Sequence, residues 1–178
     1  MTKPTLLLTA AALLLGACAD LSGWNREAAT PARAPGEWLV ALDFDGAAHP
    51  LPVSRICLDR ASDARLAIVG AQMDRGQCST YQVGRVAHGQ WRLHSVCQIA
   101  GGASVTTDAE IFGEPDARWW DQTYWARASG VETGAADASQ NGTHSVVLTA
   151  RRVGACDAGR RGGDITVNGR TANIFAAG

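Results

Sequence analysis

Apolar and polar positions alternate with a period near two along most of the chain from Trp38 onward, the mark of strands that bury one face. Residues 38–44 (WLVALDF) read as a first strand, and Asp45-Gly46 after it is a hairpin-type turn dipeptide. Residues 51–58 resume extended structure, with Val53, Ile56 and Cys57 apolar. Residues 59–70 alone fit a helix: Leu66, Ile68 and Val69 accompany Ala61, Ala64 and Ala67, with Asp59 or Ser62 as cap and Gly70 as stop, and Met73 is the farthest the helix can reach. Strand patterns return at Cys78. Residues 79–86 and 90–99 flank the short Ala87-His88-Gly89 loop, 104–112 alternate around Val105, Thr107, Ala109 and Ile111, and 119–127 form another strand. Residues 130–142 are rich in Gly, Ala, Asp and Ser and read as a loop; 143–153 alternate around Val146 and Leu148; 164–175 hold one short last strand. The expected class is mainly β, an antiparallel curled sheet or small barrel of about seven to eight strands with one short helix.

The chain ahead of this domain has another character. Lys3 supplies a basic start, residues 5–17 are apolar and small, and Leu15-Gly16-Ala17 leads into Cys18. The stretch is too short for a membrane span and has the three-part layout of a secretory signal. A cysteine directly after the small residues resembles the lipobox of bacterial lipoproteins. That resemblance implies cleavage before Cys18, thioether lipidation of its sulfur and acylation of the new amino terminus. With Ala19 rather than an acid next to Cys18, it also implies delivery to the outer membrane, facing the periplasm. The chain then divides into a signal peptide (1–17), a lipidated tether (18–34) containing Trp24, a β domain (35–156) and a tail (157–178) with one extra strand.

Four further cysteines, Cys57, Cys78, Cys97 and Cys156, make an even set, which in an exported chain reads as two disulfides. A tight loop at Ala87-His88 sets Cys78 opposite Cys97 and Trp91 opposite Gly84, leaving Cys57 for Cys156; Cys57–Cys78 across the helix with Cys97–Cys156 is the rival pairing. No two cysteines lie closer than nineteen positions, so the close pairs typical of structural zinc are missing, and no metal or cofactor is expected. Lys3 is the only lysine among sixteen basic residues, which leaves fifteen arginines against seventeen acids beyond position 17. There is no basic stripe, so nucleic acid is not an expected partner.

Pro35-Gly36-x-Trp38 opens the domain, Cys57-Leu58 ends an early strand before a short helix, Cys78 restarts the sheet, Cys97 closes a strand, and Gly154-Ala155-Cys156 after Arg151-Arg152 closes a late one. This arrangement resembles the bacterial envelope family labelled domain of unknown function 3617. The resemblance implies a small exported protein with no established activity and supplies no catalytic residues. Two departures stand out: the Trp119-Trp120-x-x-x-Tyr124-Trp125 cluster, where the family is usually rich in Gly, Ser and Thr, and the long tail.

Other motifs weaken on inspection. Asp43-Phe44-Asp45-Gly46 mimics the nucleophile motif of haloacid-dehalogenase-like phosphatases. Ala47 follows it where Thr or Val is needed, no phosphate-holding lysine is present, and strands and helices do not alternate as that fold requires. His49, His88, His94 and His144 are far apart and read as solvated. Asn141-Gly142-Thr143 reads as a turn, and Gly159 to Gly163 with Arg160 and Arg161 as a flexible linker rather than an anion site. On a strand, Trp119 and Trp125 share one face and Trp120 and Tyr124 the other. One aromatic pair is then free to be an exposed platform, although Trp serves more often as core, with one pair inside the sheet and the other under a loop or the tail; these four residues are the candidate binding set. The expected protein is a non-enzymatic binding module, lipid-anchored through Cys18, for an envelope protein, glycan or lipid. The competing readings are an assembly factor holding another envelope protein and a hydrolase of unrecognised site.

Overall fold

The computed structural model describes residues 31–45, 51–69, 73–99, 101–113, 119–120 and 122–176. Cys18, the signal segment, Trp24, Gly46, His49 and Gly70 lie outside the described residues. The strands are β1 (Ala32–Arg33), β2 (Gly36–Phe44), β3 (Ser54–Leu58), β4 (Cys78–Ala87), β5 (Gln90–Gln98), β6 (Ser104–Gly113), β7 (Trp119–Trp120), β8 (Thr123–Thr133), β9 (Gly142–Gly154), β10 (Asp164–Val167) and β11 (Arg170–Asn173), with helix α1 (Arg60–Arg65) after β3. Nine strands make one open antiparallel sheet in the order β11-β10-β3-β2-β9-β8-β6-β5-β4, and β1 pairs with β7 in a separate two-residue parallel ladder. The mainly β class is as read from the pattern.

Strict alternation gives this sheet one dry face. In β5 Trp91, Leu93, Ser95 and Cys97 are buried, while Arg92 is exposed between them. In β8 Tyr124, Ala126 and Ala128 are buried and Trp125, Arg127 and Ser129 exposed. Trp38, Val40, Ile56, Leu58, Ile111, Leu148 and Ala150 continue the same core. The segment 66–69 and Trp120 belong to it as well. Each large apolar side chain buried in this way contributes roughly 1.5–3 kcal/mol of transfer free energy.

The helix is shorter than the sequence suggests. Asp59 and Ser62 form a reciprocal cap, Ser62 N donating to Asp59 Oδ1 at 2.8 Å and Asp59 N to Ser62 Oγ at 2.9 Å. The chain leaves the helix at Leu66, whose ψ is 134°. Leu66, Ala67, Ile68 and Val69 are all buried, so no exposed side remains for an amphipathic helix. The backbone instead leaves the helix, with Leu66 extended and bridged to Asp74 and bends at Ile68 and Val69, and side chains take several of its polar groups. Arg33 and Arg75 donate to the Leu66 carbonyl, the Tyr81 hydroxyl accepts from Ile68 N, and the Tyr124 hydroxyl donates to Ile68 O.

The disulfides are Cys78–Cys97 and Cys57–Cys156. The rival pairing is excluded, but the register differs from the simple hairpin. Trp91 pairs with Arg85, not Gly84, and the turn sits at His88-Gly89, between Ala87 and Gln90. Bulges between Cys78 and Thr80 and between Arg85 and Ala87 absorb the offset.

Three further boundaries move. The strand expected over 119–127 is two pieces, and β8 runs on to Thr133 through part of the expected 130–142 loop. The tail carries two strands rather than one: β10 pairs with β3, and β10 and β11 join at Asn168-Gly169, both at positive φ, the hairpin turn that suits this dipeptide. The fold also begins before Pro35. Ala32 and Arg33 form β1, and Arg33 is buried, so these positions are packed chain rather than tether.

Candidate functional site

Tyr124, on the dry face of β8, and Trp120, from β7, are packing residues. Trp120 is sealed between Trp91, edge-on at 5.1 Å, and Tyr124, stacked at 4.6 Å. Gly113 of β6 makes room for it, because a Cβ there would overlap the indole nitrogen. Tyr124 accepts from Arg33 Nη1 at 3.3 Å and donates to Ile68 O at 3.0 Å, and burial pushes its phenol up from the usual range. Arg33 Nε donates to Asp63 Oδ1 at 2.6 Å, its backbone N to Oδ2 at 3.1 Å, and Nη2 to Leu66 O at 3.2 Å. The guanidinium therefore ties β1, α1, the 66–69 segment and β8 together. Sequence reasoning missed Arg33, because a lone arginine in a small, Pro-containing stretch carries no periodic signal.

The opposite face carries the exposed chemistry. Trp125 is 36% exposed and stacks on its cross-strand neighbour Phe112 at 4.1 Å, with the Arg127 guanidinium 5.5 Å from the Trp125 ring centre. The side chain of Trp119 lies outside the described residues. The candidate aromatic set is thus divided: two rings in the core, one on the outer face. Next to the Phe112–Trp125 row runs a cross-strand row of Arg92, Glu110, Arg127, Val147 and Asp43, and beyond it one of His94, Asp108, Ser129, Ser145 and Asp45.

These two rows, His94 excepted, line a depression of about 950 Å³ across β5, β6, β8, β9 and β2. Arg92 and Glu110 pair at 3.5 Å, and His94 Nδ1 lies 2.8 Å from Asp108. His94 is therefore engaged by a carboxylate rather than merely solvated. Asp43 and Asp45 fall on the outer rim of an antiparallel sheet, which disposes of the phosphatase mimic on topology. The signal for this face was in the sequence: Arg92, Asp108, Glu110 and Arg127 all take the outward parity of their strands.

A second polar cluster lies under the Cys57–Cys156 bridge. Glu37 of β2, its side chain 2% exposed, accepts two bonds from Arg55, at 2.7 and 2.9 Å, and one from Arg160 at 2.5 Å. Those hydrogen bonds, led by the Arg55 fork and opposed in part by burial, hold its carboxyl below the usual range. Arg160 also donates to the carbonyls of Arg55 and Asp164, and Gly163 N to that of Cys57. The 159–163 segment is therefore fastened to the sheet, correcting the linker reading: its glycines serve turns, and Arg160 answers a buried acid. Asn141, read as a turn, receives Ala135 N on its side-chain oxygen at 2.9 Å.

Among the described residues no group of His, Cys, Asp and Glu is placed to hold a metal ion, and no helix is long and apolar enough to cross a membrane.

The fold and its two bridges define a disulfide-stapled, open antiparallel β domain with one short helix on its dry side. Residues 33–156 match the family model described as Protein of unknown function (DUF3617), and the chain belongs to that family. The match starts at Arg33, the buried arginine, and ends at Cys156, the second half of the long bridge. No curated protein and no solved structure matches the chain.

Proposed function

We propose that this protein is a binding module of the bacterial cell envelope, held on the periplasmic side of the outer membrane by lipid on Cys18, which captures an envelope component on the outer face of its sheet. The anchor rests on the apolar stretch ending in Leu15-Gly16-Ala17-Cys18. The observation that carries the binding role is the exposed Trp125–Phe112 stack beside the charged depression. Exposed aromatic surface rimmed by polar groups is a mark of interaction sites.

The experiment has two arms. Cys18→Ser should leave unprocessed or soluble protein; if the variant is processed and fractionates like wild type, the lipid anchor is wrong. Affinity capture from envelope extracts with the full chain should enrich a component that is lost with Trp125→Ala/Phe112→Ala. Both rings lie on the outer face, so the variant should keep its fold and both disulfides. Unchanged capture by a folded variant would refute this face as the site.

A further inference from the structure

We infer that the depression on the outer sheet face is a glycan-binding site, one that takes a near-neutral oligosaccharide; the inference rests on the binding role proposed above and names its ligand class.

The floor of the depression excludes one class of ligand. It crosses β5, β6, β8 and β9, which are paired on both sides there, and reaches Asp43–Asp45 at the end of β2, a stretch laddered to β9 and beyond the β2–β3 ladder, which ends at Val40. The main-chain donors and acceptors of the floor strands β5, β6, β8 and β9 are spent on neighbouring strands, so a peptide cannot add across this floor as an extra strand. Recognition must come from side chains.

The charges exclude others. Four carboxylates line the depression against two arginines, which disfavours phosphate, sulfate or an acidic surface. The signs also alternate along the central row, Arg92–Glu110–Arg127 and then, past Val147, Asp43. A basic partner would meet two guanidinium groups in the middle of its footprint. The exposed ionic groups disfavour an acyl chain, which offers nothing to hydrogen-bond.

What remains is a ligand without strong charge but with many closely spaced hydroxyls. Each hydroxyl both donates and accepts, so it can answer a carboxylate on one side and a guanidinium on the other. A sugar ring also has an apolar C–H surface, which suits the exposed edge of the Trp125–Phe112 stack in the row alongside the depression. The volume, about 950 Å³, is at the upper end of the range for small-ligand sites, roughly 300–1,000 Å³. The depression is an open trough across the sheet, a shape that accepts a segment of a chain.

The test titrates the full chain, in detergent, with chitotetraose, cellotetraose and maltotetraose, read by saturation-transfer NMR and calorimetry. At least one should bind saturably. Arg127→Ala and Asp43→Asn should each weaken it by about tenfold, the loss expected for one dominant contact. Val153→Ala, exposed on β9 outside the depression, should leave binding unchanged. Circular dichroism and intact disulfides would establish that each variant is folded. If none of the three sugars binds, yet Trp125→Ala/Phe112→Ala abolishes capture from envelope extracts, the glycan inference is overturned while the docking face stands. If that variant also captures normally, both fall. Sugar binding that neither Arg127→Ala nor Asp43→Asn alters would place the glycan elsewhere and overturn the inference as well.

Discussion

Replacing Arg33 by methionine should destabilise the domain more than most single substitutions at its surface. Methionine keeps much of the apolar length and removes the charge. The Arg33 side chain is 1% exposed and that of Asp63 is 9%, so the substitution strands a nearly buried carboxylate with only the backbone N–H of residue 33. The Tyr124 hydroxyl loses a donor and the Leu66 carbonyl loses one of two. Breaking one partner of a buried ion pair costs about 3–5 kcal/mol. Domains of this kind hold ~5–15 kcal/mol in all, so about a fifth or more of the stability is at stake. At roughly 2–4 °C per kcal/mol for chains of this length, the melting temperature should fall by about 6–20 °C. Urea denaturation with both disulfides intact, followed by fluorescence and circular dichroism together, measures the loss and tests for two-state behaviour. Asp63→Leu alone should also be costly, because it leaves the guanidinium unpaired. The double variant Arg33→Met/Asp63→Leu should recover a large part of the loss, with a coupling of roughly 0.5–3 kcal/mol, since the uncompensated charge is then gone. A single-variant loss under ~1 kcal/mol, or additive single losses, would refute the reasoning that this pair ties β1 to the fold.

Removal of the Cys57–Cys156 bridge by paired serine substitution should cost more than removal of Cys78–Cys97, since the first closes a separation of 99 residues and the second 19; the chain-entropy model puts them at ~4.7 and ~3 kcal/mol, and reversed denaturation midpoints would contradict it. The folded-state pKa of Glu37 is lowered, so its contribution is present above the unfolded carboxyl value of about 4.3 and is lost as pH falls through the folded value. Glu37→Gln should therefore flatten the acid limb of a stability-against-pH curve, and an unaltered limb would remove Glu37 from the account. Gly113→Ala should cost about 1–3 kcal/mol by overpacking, because the new Cβ would lie 2.7 Å from Trp120 Cε2; near-ultraviolet circular dichroism should change, and a wild-type melting curve would show that the indole can shift freely.

The limits of the sequence reading have physical causes that differ from element to element. Alternation found the long strands because each side chain in a half-buried sheet answers to its own position; β5, β6 and β9 were legible to within two residues. The pattern places Leu66-Ala67-Ile68-Val69 in the helix, and this is wrong because four consecutive buried residues have no polar side to reveal a true period. What decides there is long-range: two tyrosine hydroxyls and two arginines satisfy a backbone that a helix would have satisfied itself. The end of β8 was hidden by composition, because Gly130 is a turn residue by habit. Here it lies within β8 opposite Thr107, where a Cβ would meet Val105 and Thr107 only at ordinary contact distance. In the tail the local signal is sufficient: Asn168-Gly169 between short β-prone runs specifies a two-residue hairpin.

The candidate site repeats the division. Parity within β8 separates Tyr124 from Trp125, whereas Trp120 sits on β7, a separate ladder, and reaches the core from there. Parity could not say which charged residues would meet the Trp125 ring. Phe112 lies thirteen positions before Trp125 in the chain, and it becomes the stacking partner only through the β6–β8 register. The same register places Glu110 beside Arg127, and the β5–β6 register places Arg92 beside Glu110. A slip of one residue in either ladder would turn one of these strands inside out, carrying its charges into the dry face and its buried residues to solvent. The core thus fixes the outer face: burial of Trp91, Ile111 and Ala126 on one side of the sheet selects the register that assembles Arg92, Glu110 and Arg127 on the other.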